Sequence, residues 1–176
     1  GDLQQKPALA FEEAAKALSN FGFAIKEIEI DAVESALALS SLVYPSEAYA
    51  EWKDEIEDAP ELMYDEILQR FRSGKDVLAS DYLKAMSDLE IFKKKYANKV
   101  SGFDGVILPT CPILPPNLDR LKSDNEYYVS QNLMALRNTR IGNLMGICAL
   151  TIPTNHSSCG LSIMALPNME EKLLRL

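Results

Sequence analysis

Apolar residues at Phe11, Ala14, Ala15, Leu18 and Phe21 recur with the i, i+3, i+4, i+7 spacing of an amphipathic helix, so residues 7 to 21 are predicted helical. Pro7 is tolerated in the first turn and Gly22 is a natural stop. The pattern then changes period. In FAIKEIEI, Glu27 and Glu29 alternate with Ile28 and Ile30, which predicts a strand with one buried face. Ser46 is placed to cap a helix running to about Asp58, and a second helix is expected from about Pro60 to Arg72, stopping near Ser73-Gly74. From Ser80 to about Tyr96, the residues Tyr82, Leu83, Met86, Leu89, Phe92 and Tyr96 form one apolar stripe, predicting a core-facing helix.

The C-terminal third reads differently. Val106, Ile107 and Leu108 make a short continuous apolar run, expected as a central strand cut off by Pro109 and followed by a proline-rich loop. A helical segment is expected near Val129 to Met145. CALTIPT and GLSIMAL read as two more strands, and NMEEKLLRL as the start of a last helix. Together these predict one α/β segment over residues 1–176: a helix and strand connection in 1–45, helices in 46–100, and strands with helices of a sheet in 101–176. A chain of this length suits one domain with a real core.

Charge narrows the partners. A formal net charge of −8 opposes binding to a phosphate backbone or an anionic lipid surface, so neither nucleic acid nor membrane is expected as a partner. The carboxylates between Glu51 and Glu66 lack the loop spacing of a calcium site and are read as a solvated face. Cys111, Cys148 and Cys159 form neither an even disulfide framework nor a CxxC pair, which fits a reducing cytoplasm. The chain starts at Gly1 rather than at methionine, and it is expected to derive from a longer one.

The conspicuous chemical cluster is TIPTNHSSCG, with the single histidine, His156, beside Ser157, Ser158 and Cys159. Nucleophilic catalysis needs a base in reach of the nucleophile and a third group to orient that base. Neighbours on one turn rarely meet that geometry, and the composition is that of a strand connection. No GxSxG, Walker or GxGxxG pattern is present, and one histidine excludes HExxH. No catalytic residue, metal ligand or cofactor is therefore assigned within the chain.

Several stretches, in order, resemble the C-terminal part of the amidase signature family. FDGVILPTCPILPP is similar to its D-x-hydrophobic-hydrophobic-x-P-T-x-P segment, through Asp104, Leu108, Pro109, Thr110 and Pro112. NTRIGNLMGICALTIPT is similar to its N-x-x-G-x-x-A-x-[ST]-x-P segment, through Asn143, Gly146, Ala149, Thr151 and Pro153. RSGKDVLASDYLKAM resembles a glycine turn before a helix, through Gly74, Asp81, Tyr82 and Ala85, and CGLSIMALPNMEEKLLRL resembles the closing strand and helix.

The resemblance implies the C-terminal part of a three-layer α/β/α fold with a mixed central sheet, in an enzyme that hydrolyses an amide carbon–nitrogen bond. It also implies a Ser-cis-Ser-Lys triad and a GGSSGGS-like loop. This sequence has no Gly-Gly pair, so that machinery is expected in a missing N-terminal half, its partner in the complete enzyme. The chain would then supply sheet core and part of the pocket for a small amide, near Thr110, Cys111, Thr139 and Asn143, of which Asn143 more readily serves a structural role by satisfying backbone groups. With its partner half absent, the chain is expected to self-associate. In amidotransferase A subunits an aspartate lies seven residues before the matching asparagine, and here that position is Leu136, which favours a plain amidase over an amidotransferase A-subunit fragment. A noncatalytic binding domain and an independent hydrolase centred on His156 are the other readings.

Overall fold

Alternation along three short segments decides the sheet. In the computed structural model, which describes residues 3–176, β1 (Val106–Pro109), β2 (Cys148–Pro153) and β3 (Gly160–Ala165) pair in the order β1-β3-β2, and both pairings are antiparallel. Gly1, where the chain begins, lies outside the described residues. The middle strand is β3: Ile163 stands opposite Ile107 on one side and Leu150 on the other, and Ser162 opposite Leu108 and Thr151.

Successive side chains of a strand point to opposite faces. Leu161, Ile163 and Ala165 therefore share a face, and they pack with Ile107, Leu150 and Ile152. Helix α1 (Gln5–Asn20) covers that face with Phe11, Ala14 and Leu18, and α8 (Glu170–Leu174) with the buried Leu173. The opposite face carries Ser162 and Met164 beside Leu108, Ala149 and Thr151. There α7 (Arg137–Met145) packs, and a Cβ on its Gly142 would be in ordinary contact with the Met164 Cε at 3.9 Å. Sheet and flanking helices thus form an α/β/α layering in which both strand pairings are antiparallel.

Two strand expectations change. Val106 to Leu108 form a strand as predicted, but it is an edge and not the centre of this sheet, because β3 takes the middle position and leaves β1 only half-buried. Residues 23–30 do not form a strand. Alternation can make a two-faced strip, yet a strand also needs a neighbour's N–H and C=O groups. Phe23 and Ile25 stay exposed.

The chain divides into two compact units, one containing the sheet (residues up to Ile30 with Ala97–Leu176) and one Asp31–Tyr96. The second unit contains α2 (Asp31–Asp58), a 3₁₀ turn (Pro60–Leu62), α3 (Asp65–Arg72) and most of α4 (Ala79–Val100). The helix expected from Ser46 begins fifteen residues earlier, at Asp31, because Pro45 lies within α2 and does not end it. A proline in a helix has no N–H for the carbonyl one turn back. Ser46 does not cap; its Oγ donates to the Leu42 carbonyl at 2.7 Å.

Arg72 grips Glu57 with both prongs, at 3.0 Å from Nε and 2.7 Å from Nη2, joining α3 to α2 and holding the Glu57 carboxyl below its ordinary range. Tyr82 donates to Glu47 at 2.9 Å, joining α4 to α2. Between these helices Gly74 meets the Pro45 backbone at a distance that leaves no room for a side chain. Of the α4 stripe, Leu89 and Tyr96 are buried, and burial pushes the Tyr96 phenol up to about 12. Leu83 instead points to solvent, and Ala85 and Val100 take buried positions. Apart from the half-buried Glu66, the acidic residues of 51–66 are exposed, as a solvated face requires.

Candidate functional site

The proline that ends β1 also opens the site. Pro109 cannot donate to a neighbouring strand, and its carbonyl accepts from the buried Asn138 Nδ2 at 2.6 Å. Thr110 prolongs the ladder by one residue, its N–H donating to the Gly160 carbonyl at 2.9 Å. The loop beyond is held by Gln4, which donates its N–H to the Pro112 carbonyl at 2.9 Å and accepts at Oε1 from the Leu114 N–H at 2.8 Å. Pro112 and Ile113 are buried, so the loop is anchored.

Three hydroxyls from three adjacent backbone segments meet at this end of the sheet. Thr110 Oγ1 lies 2.8 Å from Ser162 Oγ, Thr151 Oγ1 lies 3.1 Å from Ser162 Oγ, and the two threonine oxygens are 3.5 Å apart. Ser162 is 2% exposed. Gly160 adjoins them, and a Cβ there would stand 2.9 Å from Thr110 Oγ1 and 3.0 Å from Thr151 Cγ2.

Helix α5 (Leu118–Ser123) is capped by Asn117 and α6 (Asn125–Ala135) by Asp124, each accepting from a first-turn N–H at 2.9 Å. The single helix expected to end at Met145 is broken at Leu136, so that α6 and α7 are separate. At that break the Cys111 Sγ approaches the Ala135 carbonyl at 3.5 Å, and Asn138 holds Pro109 from the first turn of α7. Gly146 ends α7 with φ +63°, and the N–H of Ile147 returns to the Gly142 carbonyl at 3.1 Å, an arrangement that closes a helix and that favours glycine. β2 follows directly.

Of the four residues named from sequence, Thr110 and Cys111 are half-buried at the end of β1. Thr139 and Asn143 lie one turn apart on the exposed side of α7, with the Thr139 hydroxyl donating to the Leu136 carbonyl at 3.2 Å. Among the described residues no hydrogen bond joins that pair to Thr110 or Cys111. The link between β1 and α7 runs through Asn138, which sequence reasoning passed over. Ser162 was also missed, although alternation in GLSIMAL sets it on the face opposite Leu161 and Ile163.

The TNHSSCG segment is the connection between β2 and β3. His156 Nε2 lies 2.8 Å from Glu13 Oε2, and Lys6 Nζ donates to Ser157 Oγ at 3.1 Å, so this turn is tied to α1. Thr154 Oγ1 accepts from the His156 N–H at 3.2 Å and donates to the Cys159 carbonyl at 2.9 Å. The histidine ring is engaged by a carboxylate and not by Ser158 or Cys159.

The family model described as Amidase matches residues 1–174. The chain is 33% identical over 112 residues to 2-amino-5-chloromuconic acid deaminase of Comamonas testosteroni, covering 61% of this chain and 24% of that protein. It is 27% identical over 191 residues to the A subunit of glutamyl-tRNA(Gln) amidotransferase from Sulfurisphaera tokodaii, covering 93% and 40%. Among solved structures, an amidase superposes with a TM-score of 0.83 at 18% identity over 99% of this chain and 41% of the other. Allophanate hydrolase of Kluyveromyces lactis gives 0.84 at 18% identity over 98% and 29%. These structural likenesses show the fold. The chain spans about a quarter to two fifths of the length of the two curated relatives described.

Proposed function

Because the chain belongs to the amidase family, we propose that it forms part of an enzyme that hydrolyses an amide carbon–nitrogen bond, and that the loop after β1 supplies part of the substrate pocket through Thr110 and Cys111. The family match over residues 1–174 carries this reading. Its local support is the anchored C-terminal end of β1, where half-buried polar groups converge beside a proline-bounded loop. Thr139 and Asn143, exposed on α7, are proposed as a more distant part of the same wall.

The reaction itself needs an activated nucleophile and donors for the tetrahedral oxyanion. We assign both to a segment outside residues 1–176, since the relatives are much longer and no Gly-Gly pair occurs here. Leu136 stands where the amidotransferase reading needs a carboxylate, and a plain amidase is preferred. Three cysteines without disulfides suit a reducing cytoplasm. Among the described residues no helix is long and apolar enough to cross a membrane.

The test is an assay of the longer protein containing these residues against small aliphatic and aryl amides. Cys111→Trp should change the ratio of kcat/KM between small and large amides by about tenfold or more, with a melting temperature close to that of the parent. Unchanged preference would remove Cys111 from the wall. Residues 1–176 alone are expected to show no turnover. Turnover abolished by His156→Ala or Cys159→Ala would relocate the chemistry to the β2–β3 turn.

The outer edges of β1 and β2 are unpaired among the described residues. Such edges template pairing with another strand. Residues 1–176 in isolation should therefore self-associate, most simply as a two-fold dimer. A monomer with a cooperative melt across a wide concentration range in sedimentation would contradict this.

A further inference from the structure

At the hydroxyl triangle of Thr110, Thr151 and Ser162 the protons outnumber the good hydrogen bonds. Each hydroxyl carries one proton and two lone pairs. The two sides of the triangle at Ser162, 2.8 and 3.1 Å, are of hydrogen-bonding length, while the third side, 3.5 Å between Thr110 and Thr151, exceeds the normal O–H···O range. Two good bonds use two protons, and three are present.

Burial excludes Ser162 as the hydroxyl that keeps the third. Ser162, at 2% exposure, has its two threonine partners at hand, and a buried hydroxyl proton left without an acceptor is costly. The favourable arrangement is a chain in which one threonine donates to Ser162 and Ser162 donates to the other. The threonine at the receiving end has a free proton and is polarised to give it. A spare proton on the exposed Thr151 would meet water, whereas one on the half-buried Thr110, beside Cys111 in the loop after β1, is left for a bound acceptor. Packing alone would be served by apolar residues here, as the rest of β3 shows. The absent side chain of Gly160 leaves the triangle its space.

We infer that Ser162 and Thr151 align Thr110 as a hydrogen-bond donor to an oxygen acceptor of the bound substrate, a carbonyl or carboxylate oxygen. This rests on the amide-hydrolase reading and adds to it the chemistry that this wall recognises. Thr110 touches the substrate; Ser162 and Thr151 are positioning residues acting through it. The interaction holds the substrate before and during reaction alike, so it governs KM more than kcat.

The experiment uses the longer enzyme and whichever small amide of the panel it turns over. Thr110→Val should raise KM about tenfold with little change in kcat, and Thr110→Ser should restore KM to within about twofold. Ser162→Ala should raise KM about threefold, and it should add nothing once Thr110→Val is present, since positioning has no effect without the group positioned. Thr151→Val, at an exposed position, carries the same non-additivity test where Ser162→Ala fails to fold. Turnover by the parent enzyme with KM unchanged in Thr110→Val would overturn this inference alone, as would effects of Ser162 or Thr151 that add independently. No turnover of any amide by the parent would overturn the amide-hydrolase reading and this inference with it.

Discussion

Gly74→Ala is expected to cost at least about 3 kcal/mol, toward or beyond the upper end of overpacking penalties, and to melt the helical unit. A Cβ at this position would stand 2.0 Å from the Pro45 carbonyl oxygen and 2.3 Å from its carbon. These are backbone atoms of α2, so no rotamer change relieves the clash, and the turn after α3 would have to withdraw from α2. Gly102→Ala is the matched control, because nothing lies within 4 Å of a Cβ there. That change should stay within about 0.5 kcal/mol of the parent. Urea unfolding of both variants checks the pair, and equal midpoints would show that α2 and the α3 turn do not meet as described.

Leu161→Ala should cost about 2–5 kcal/mol, the range for truncating a fully buried leucine. Leu161 is 1% exposed on the packed face of β3, opposite Ile152 and within the cluster that the α1 residues cover. The lost methyl groups would leave a cavity between sheet and helix. Leu174→Ala, removing a side chain that is 74% exposed, should change stability by no more than about 0.5 kcal/mol. A small loss at Leu161 would mean that α1 does not pack on the sheet.

The C-terminal strands were legible because their alternation and their partners agree. CALTIPT and GLSIMAL sit beside each other in chain and sheet, and Leu150 and Ile163 face the same core. FAIKEIEI carries an equally clear alternation and forms no strand. Periodicity describes one segment, whereas a strand is a property of two. Ser46 misled in the opposite sense, because a serine argues locally for a helix start, while it lies inside α2, whose residues on both sides of it, Ala36, Val43 and Ile56, are buried.

For the site, the proline-bounded end of β1 was readable and its interior was not. Thr110 announces itself in a loop between prolines. Ser162 looks like an interruption in an apolar run until the pairing sets it between Leu108 and Thr151. Asn138 is one polar residue among several in RNTR, and only the fold brings it to the Pro109 carbonyl. His156 had the strongest local signal and proved to be a tie to Glu13. Residue type points to chemistry, but the meeting of distant segments decides it.

The connection between β2 and β3 also governs how this part of the chain tolerates changes of length. Its ends are Pro153 and Gly160, themselves a ladder pair, so residues added between them enlarge the turn and leave every pair from Cys148 with Ala165 onward intact. One residue inserted within β3 would instead turn its side chains over. Ser162 would then face α1, and leucine or isoleucine would stand among the threonines. Changes of length are thus best tolerated in the six residues of that turn, where the loss is a tie to α1, and least in the strand that follows, where it would be core and hydroxyl cluster at once.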